Sequence, residues 1–149
     1  MEELGTKLRL AYYAASDGPR VMIFGPCGAD FRSLQQLFER LSHSPTQSYK
    51  LHEQAFIAAF GGVEITLSCS GPLFSPTSNS RSNFCQTSGS REPVFEWLRS
   101  AEGWDYLAAL IDSLVQATEP GHQYLTGFPS EDAIVVVSKG EYGDDVLKE

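Results

Sequence analysis

Carboxylates and aromatic side chains occur together near the end of the chain. The residues concerned are Tyr124, Phe128, Glu131, Asp132, Glu141, Tyr142, Asp144 and Asp145. Aromatic rings give a protein interface desolvated contact area, and charges around them steer a partner and fix its register. The combination predicts a surface that binds a basic protein partner. An acidic, solvated tail beside aromatic residues of the core would give the same pattern.

The negative charge of the chain is concentrated in this region. The formal net charge is -8, and residues 101–149 hold 10 acidic and 2 basic residues. Residues 1–69 hold 7 acidic and 6 basic residues, and residues 70–100 hold 2 and 3. This distribution argues against nucleic acid as a ligand, because phosphate contacts need clustered lysines and arginines. It favours a basic partner or a soluble surface.

A second hypothesis places an acid and a base on the surface of a sheet. His52 and Glu53 lie within residues 49–60, where one or two strands are predicted, and Glu64 lies on the next strand, so they could face one another if their strands are neighbours. Such a pair could serve general acid and base catalysis in a small enzyme whose cleft lies beneath residues 70–92. The alternative is that Glu64 occupies the solvent side of a half-buried strand.

The histidines and cysteines have no metal-binding spacing. No HxxxH, HxH or CxxC pattern occurs, and an odd number of cysteines suits reduced thiols better than a disulfide framework. We therefore predict no metal and no cofactor. The histidines and cysteines of the chain are His43, His52, His122, Cys27, Cys69 and Cys85.

Hydrophobic periodicity predicts the elements that position these residues. Strands are predicted over 7–13, 21–24, 63–69 and 93–99, with one or two more within 49–60. A helix begins at Phe31 after a cap at Asp30, and a second runs from about residue 100 to 118. Each helix has a single apolar stripe. No internal repeat is visible.

The last two predicted strands cover residues 122–126 and 133–138. Ala133 to Val137 are five consecutive apolar residues, four of them β-branched valines and isoleucine. This run is too short for a buried helix and predicts a strand covered on both faces, at the centre of a sheet.

The predicted fold class is α+β, with a mostly antiparallel sheet and two amphipathic helices on one face. A chain of 149 residues fits a single domain, 1–149, that buries about 70% of its unfolded surface. Residues 70–92 contain seven serines and are predicted to form a flexible loop within that domain.

Neither a membrane segment nor a signal peptide is predicted. No run of about 18 apolar residues occurs, and residues 1–6 lack the basic and apolar regions of a secretory signal. We therefore expect a cytoplasmic protein that does not act at a membrane.

The closing segments resemble a hairpin found in small, acidic bacterial proteins of the polymorphic-toxin immunity type. The resemblance covers about the last 20 residues, from His122-Gln123-Tyr124-Leu125 to Tyr142, together with the size and charge of the chain. It implies a cytoplasmic, non-catalytic protein that inhibits one toxin by covering its active site. The alternatives are the small enzyme and a regulatory subunit of a larger bacterial assembly. The partner and the oligomeric state stay open.

Overall fold

The computed structural model describes residues 6–15, 18–43, 48–69, 83–86, 92–125 and 133–143. The strands in these ranges are β1 (Leu8–Ala15), β2 (Gly18–Gly25), β3 (Ser48–Lys50), β4 (Ile57–Ala59), β5 (Glu64–Cys69), β6 (Asn83–Gln86), β7 (Val94–Arg99), β8 (Gly121–Tyr124) and β9 (Ile134–Lys139). The helices are α1 (Phe31–His43) and α2 (Ala101–Gln116), and a 3₁₀ turn covers Leu51–Glu53. Neither described helix has the length and apolar character needed to cross a membrane.

The α+β fold class is confirmed, but the strands form two mixed sheets instead of one mostly antiparallel sheet. Sheet A has the order β4-β1-β2-β9-β8, and sheet B has the order β3-β5-β7-β6. Hairpin neighbours such as β1 and β2 are antiparallel, whereas β2–β9, β5–β7 and β1–β4 are parallel. The parallel pairs join strands that are distant in sequence, which turn signals cannot indicate.

The pairing pattern shows an internal repeat. The first half runs β1-β2-α1-β3-β5, with β4 inserted, and the second half runs β6-β7-α2-β8-β9. Each half is therefore a hairpin, a helix and a second hairpin. Leu10 pairs with Ile23 in the first hairpin of one half, as Phe84 pairs with Trp97 in the other. Sheet A contains the first hairpin of the first half and the last hairpin of the second half. Sheet B contains the other two hairpins.

One apolar cluster contains the inner faces of both sheets and the stripes of both helices. Caps fix where the helices begin: the Asp30 carboxylate accepts the Ser33 amide at 3.1 Å, as predicted, and Ser100 Oγ accepts the Gly103 amide at 3.1 Å. These bonds satisfy amides that the first helical turn leaves without partners.

Part of the predicted loop at residues 70–92 is a strand. Asn83–Gln86 forms β6, which pairs antiparallel with β7. Phe84 is fully buried and stacks on Phe95, with ring centroids 4.7 Å apart. An apolar ring with a place in the core overrides the polar composition around it. Residues 70–82 and 87–91 lie outside the described residues.

Apolar residues are buried on both faces of sheet A, as predicted for β9, but the central strand of the sheet is β2 and not β9. A second apolar cluster of Ala11, Met22, Phe24 and Val136, with Tyr13 against it, lies on the face that points away from the helices. We call this the outer face of sheet A. In sheet B the positions equivalent to Met22, Phe24 and Val136 hold Glu96, Leu98 and Thr66, which are exposed or partly exposed. The repeat thus offers two equivalent outer faces, and among these described positions sheet A has buried apolar residues where sheet B has exposed or partly exposed ones.

Candidate functional site

The C-terminal hairpin forms a small depression on the outer face of sheet A. His122 pairs with Ser138 and Tyr124 pairs with Val136, so strand alternation places all four side chains on this face. The β8–β9 depression has a volume of about 40 Å³ and is lined by Arg20, Met22, His122, Tyr124, Val136, Ser138, Glu141 and Tyr142. Pockets for small molecules typically measure about 300–1,000 Å³. The depression is therefore of a size for the end of one side chain.

A left-handed residue folds the chain back over this face. Gly140, directly after β9, has a φ of 73°, a conformation that favours glycine. Its amide donates to the carbonyl of Gly25 at 2.8 Å, which fixes the turn against the end of β2. The turn brings Glu141 over β8 and β9 and places Tyr142 edge-on to Phe24, with ring centroids 6.4 Å apart.

Glu141 is held as an anion by two neighbours. Ser138 Oγ donates to Glu141 Oε1 at 2.5 Å, and His122 Nδ1 lies 3.1 Å from both carboxylate oxygens. The Ser138 hydrogen bond lowers the pKa of Glu141 most, and the hydrogen bond and charge of His122 lower it further against the opposing effect of burial. Because Nδ1 faces a carboxylate, we assign its role as a donor.

Serine, histidine and glutamate are the residue types of a hydrolytic triad, but their connections here differ from those of a triad. In a triad the histidine lies between the carboxylate and the hydroxyl and accepts the hydroxyl proton. Here the carboxylate of Glu141 lies between Ser138 and His122, and it accepts the Ser138 hydroxyl. Ser138 is also buried. The arrangement anchors a carboxylate and does not activate a nucleophile.

Two exposed aromatic rings line the depression together with this carboxylate. Tyr124 is 55% exposed and Tyr142 45% exposed. In the described part of the chain, the other large apolar or aromatic side chains with comparable exposure are Leu98 and Tyr106. The His122 ring packs edge-on against Tyr124 at 5.4 Å. Rings held in place in this way lose little side-chain entropy when they meet a partner.

The structure brings together three of the eight residues predicted to bind a partner, namely Tyr124, Glu141 and Tyr142. Arg20 also lines the depression, so the described charges there are one carboxylate and one guanidinium beside His122. The other predicted residues lie outside the described ranges: Phe128, Glu131, Asp132, Asp144 and Asp145.

Other carboxylates of the last third lie on or beside α2. Asp112 forms an ion pair with Arg32 of α1 at 3.1 Å. Glu102, Asp105 and Glu119 are exposed. The acidic excess of residues 101–149 is therefore divided between α2 and the region after β8.

Sequence reasoning did not assign His122, Ser138 or Arg20 to this site. The pairing of His122 with Ser138 depends on the register of the hairpin, which the turn between its strands sets. Arg20 reaches the site through the parallel pairing of β2 with β9, for which the sequence carries no local signal.

His52, the proposed catalytic base, has a structural contact. Its Nδ1 accepts the Ile65 backbone amide at 3.0 Å, and its Nε2 lies 3.9 Å from Glu53 Oε2. The pairing of β3 with β5 reaches only Thr66, so the imidazole binds the next amide along β5. Glu64 is exposed on the same strand. One ring nitrogen of His52 is therefore engaged in a contact at the end of a strand, and the other lies near Glu53.

Replacing Glu141 with glutamine should reduce stability in a pH-dependent way. Its lowered pKa means that the folded state favours the ionised form, so this stabilisation is present above the ordinary value of 4.5 and is lost as the pH falls through the lowered value. We expect Glu141→Gln to cost about 1–2 kcal/mol at neutral pH, the scale of a charged hydrogen bond. The cost should shrink as the pH falls through the lowered pKa, because both proteins then become neutral at this position.

Urea denaturation of both proteins across this pH range measures the effect. Glu64→Gln, at an exposed position on β5, is the matched control and should leave stability nearly unchanged at each pH. A Glu141→Gln cost that is the same at acidic and neutral pH would contradict the assignment of an anchored anion.

Comparisons with models of protein families, with curated proteins and with solved structures give no match to this chain. The geometry of the site must therefore carry the functional argument. Within the described ranges, no three histidine, cysteine, aspartate or glutamate side chains come together as metal ligands.

Proposed function

We propose that this chain is a non-catalytic binding protein that covers a basic protein partner with the β8–β9 depression and the acidic residues that lie near it in sequence. The observation that carries the proposal is a pair of exposed rings, Tyr124 and Tyr142, which line the same depression as the anchored Glu141 carboxylate. Aromatic anchors around a partly desolvated polar centre are typical of protein interfaces. The small volume of the depression argues against a substrate site.

The chemistry of the partner follows from charge. The chain carries a net charge of -8, with its excess in residues 101–149. Such a field attracts a cationic surface and speeds its association. The C-terminal hairpin resembles that of toxin-immunity proteins, and this supports a basic toxin as the partner, bound in the cytoplasm and inhibited because its active site is covered.

Charge reversal tests the acidic part of the proposal. We expect the triple variant Asp132→Lys, Glu141→Lys, Asp144→Lys to associate with the partner at least about tenfold more slowly at low salt, and with a weaker salt dependence. The partner is first captured from the source cell at low salt and identified. Its association and dissociation rates are then measured by surface plasmon resonance. The matched control is Glu102→Lys, Asp105→Lys, Glu119→Lys, which changes the net charge equally at exposed positions on or beside α2. Equal slowing of both triple variants would contradict a localised site.

Truncation of the rings tests the aromatic part. We expect Tyr124→Ala combined with Tyr142→Ala to raise the dissociation rate by at least about tenfold, because interface tyrosines act mainly on dissociation. Tyr106→Ala is the control, since Tyr106 is 60% exposed on α2, away from the depression. An effect of Tyr106→Ala as large as that of the double variant would contradict the assignment.

The activity of the bound partner distinguishes an inhibitor from a regulatory subunit. An immunity-like inhibitor should abolish the toxic activity at one equivalent, and its expression should protect cells that produce the partner. A partner that remains active in the saturated complex would leave the binding function in place and contradict inhibition.

A further inference from the structure

We infer that β8 is the edge to which the partner adds a strand, and that the added segment is extended and basic. This inference rests on the proposed function and names the mode of binding. In sheet A, β8 pairs with β9 on one side, and no described strand pairs with its other side. A sheet edge of this kind offers backbone donors and acceptors to an incoming chain.

The register shows which backbone groups face the open side. The Leu125 amide donates to the Val135 carbonyl at 2.8 Å, so residue 125 forms a hydrogen-bonded pair with β9. Such pairs alternate along an antiparallel ladder. Gln123 therefore also points its backbone groups toward β9, whereas the amides and carbonyls of His122 and Tyr124 point away from it.

The residues of β8, Gly121–Tyr124, include neither lysine nor proline. These two residue types commonly block natural sheet edges. Sheet B has an equivalent edge in β3, where Lys50 pairs with Thr66 as Tyr124 pairs with Val136 in β8. Both partners are the third residue of their strand. The same edge position thus holds a protective lysine in one half of the repeat and an exposed tyrosine in the other.

Charge selects the occupant. A second copy of the chain paired through β8 would bring two acidic C-terminal regions together, which repulsion opposes. A basic segment is attracted by the same charges. On the face that holds His122 and Tyr124, a cationic side chain of the added strand would lie beside the exposed Tyr124 ring, where a cation–π contact is favourable.

Amide hydrogen exchange tests the inference without the natural partner. The probe is the peptide acetyl-Lys-Val-Lys-Val-Lys-Val-amide. Its control is acetyl-Glu-Val-Glu-Val-Glu-Val-amide, which has the same length and the opposite charge. We expect the basic peptide to slow exchange at the amides of His122 and Tyr124 by at least about tenfold, while Gln123, already bonded to β9, changes little. The acidic peptide should have no effect. No slowing with the basic peptide, or equal slowing with both, would overturn the inference.

Two variants distinguish the contribution of the Tyr124 backbone amide from that of the Tyr124 ring. Proline is tolerated where an edge amide faces solvent, so Tyr124→Pro should keep the fold, checked by near-ultraviolet circular dichroism, and lose the peptide. Tyr124→Ala keeps the amide and should bind more weakly with the same protection at His122. Undiminished binding by Tyr124→Pro would overturn strand addition. Dimerisation with slow exchange at His122 and Tyr124 in the free protein would overturn the choice of a basic occupant.

The natural complex distinguishes this inference from the proposed function. Binding of a basic partner protein without slower exchange at His122 and Tyr124 would overturn strand addition and leave the proposed function standing. Slower exchange with the peptide, when every captured partner protein is acidic or binds elsewhere, would overturn the proposed function and support the edge.

Discussion

Replacing Phe84 with alanine is expected to lower the free energy of unfolding by about 3–5 kcal/mol, the range for truncating a buried aromatic residue. The ring is fully buried in the largest apolar cluster. It stacks on Phe95 at 4.7 Å and meets Trp97 edge-on at 5.4 Å. Alanine would leave a cavity among rings that are held by the helices and cannot close around it.

Urea denaturation measures this loss, and near-ultraviolet circular dichroism reports the packing of Trp97. The control is Leu98→Ala, because Leu98 lies on the neighbouring strand β7, pairs with Asn83 and is 38% exposed. A surface substitution of this kind usually changes stability by less than about 0.5 kcal/mol. If Phe84→Ala were as mild as Leu98→Ala, β6 would not be part of the core.

The elements that the sequence predicted correctly depend on local signals. The strands β1 and β2, the apolar stripes of the helices and the Asp30 cap are each fixed by residues within a few positions of one another. The strand predicted over 63–69 is also present as β5, and its alternating residues Ile65 and Leu67 are in the core. Periods of 2 and 3.6 residues specify which side of an element is apolar.

Neighbouring strands could not be predicted in the same way, because alternation gives a strand its faces but not its partners. The parallel pairs β2–β9 and β5–β7 create two sheets from one set of strands. The repeat is equally hidden, since equivalent positions such as Met22 and Glu96 share a backbone environment and differ in polarity. Long-range pairing is determined by the whole core, which no short window of sequence contains.

The candidate site also combines residues that local signals predicted with contacts that only the tertiary structure shows. Tyr124, Glu141 and Tyr142 were predicted from residue type and from their closeness in sequence. The anchoring of Glu141 by His122 and Ser138 requires the hairpin register. Residue type therefore indicated what kind of contact the surface makes, and tertiary structure determined which carboxylate is held in place for it.

The buried lysine at the end of β9 gives the second large prediction. Helix α2 has no basic residue in its last turn, whereas α1 has Arg40 and His43. Lys139 from β9 fills this role: its Nζ donates to the carbonyls of Leu114 at 2.9 Å and Ala117 at 2.5 Å. A cation at the carboxyl end of a helix donates hydrogen bonds to free carbonyls and interacts favourably with the negative end of the helix dipole.

We expect Lys139→Met, which keeps the length of the side chain, to lower the free energy of unfolding by about 2–3 kcal/mol, since it leaves buried carbonyls without a charged donor. Lys139 is only 5% exposed, so water cannot replace the lost bonds fully. Lys50→Met, at an exposed position of β3, is the control and should change stability by less than about 0.5 kcal/mol. Amide exchange should also accelerate in the last turn of α2. Partner binding should weaken as well, because Lys139 joins the last turn of α2 to the strand that leads into Glu141. A Lys139→Met variant as stable as the control would show that other contacts hold the end of α2.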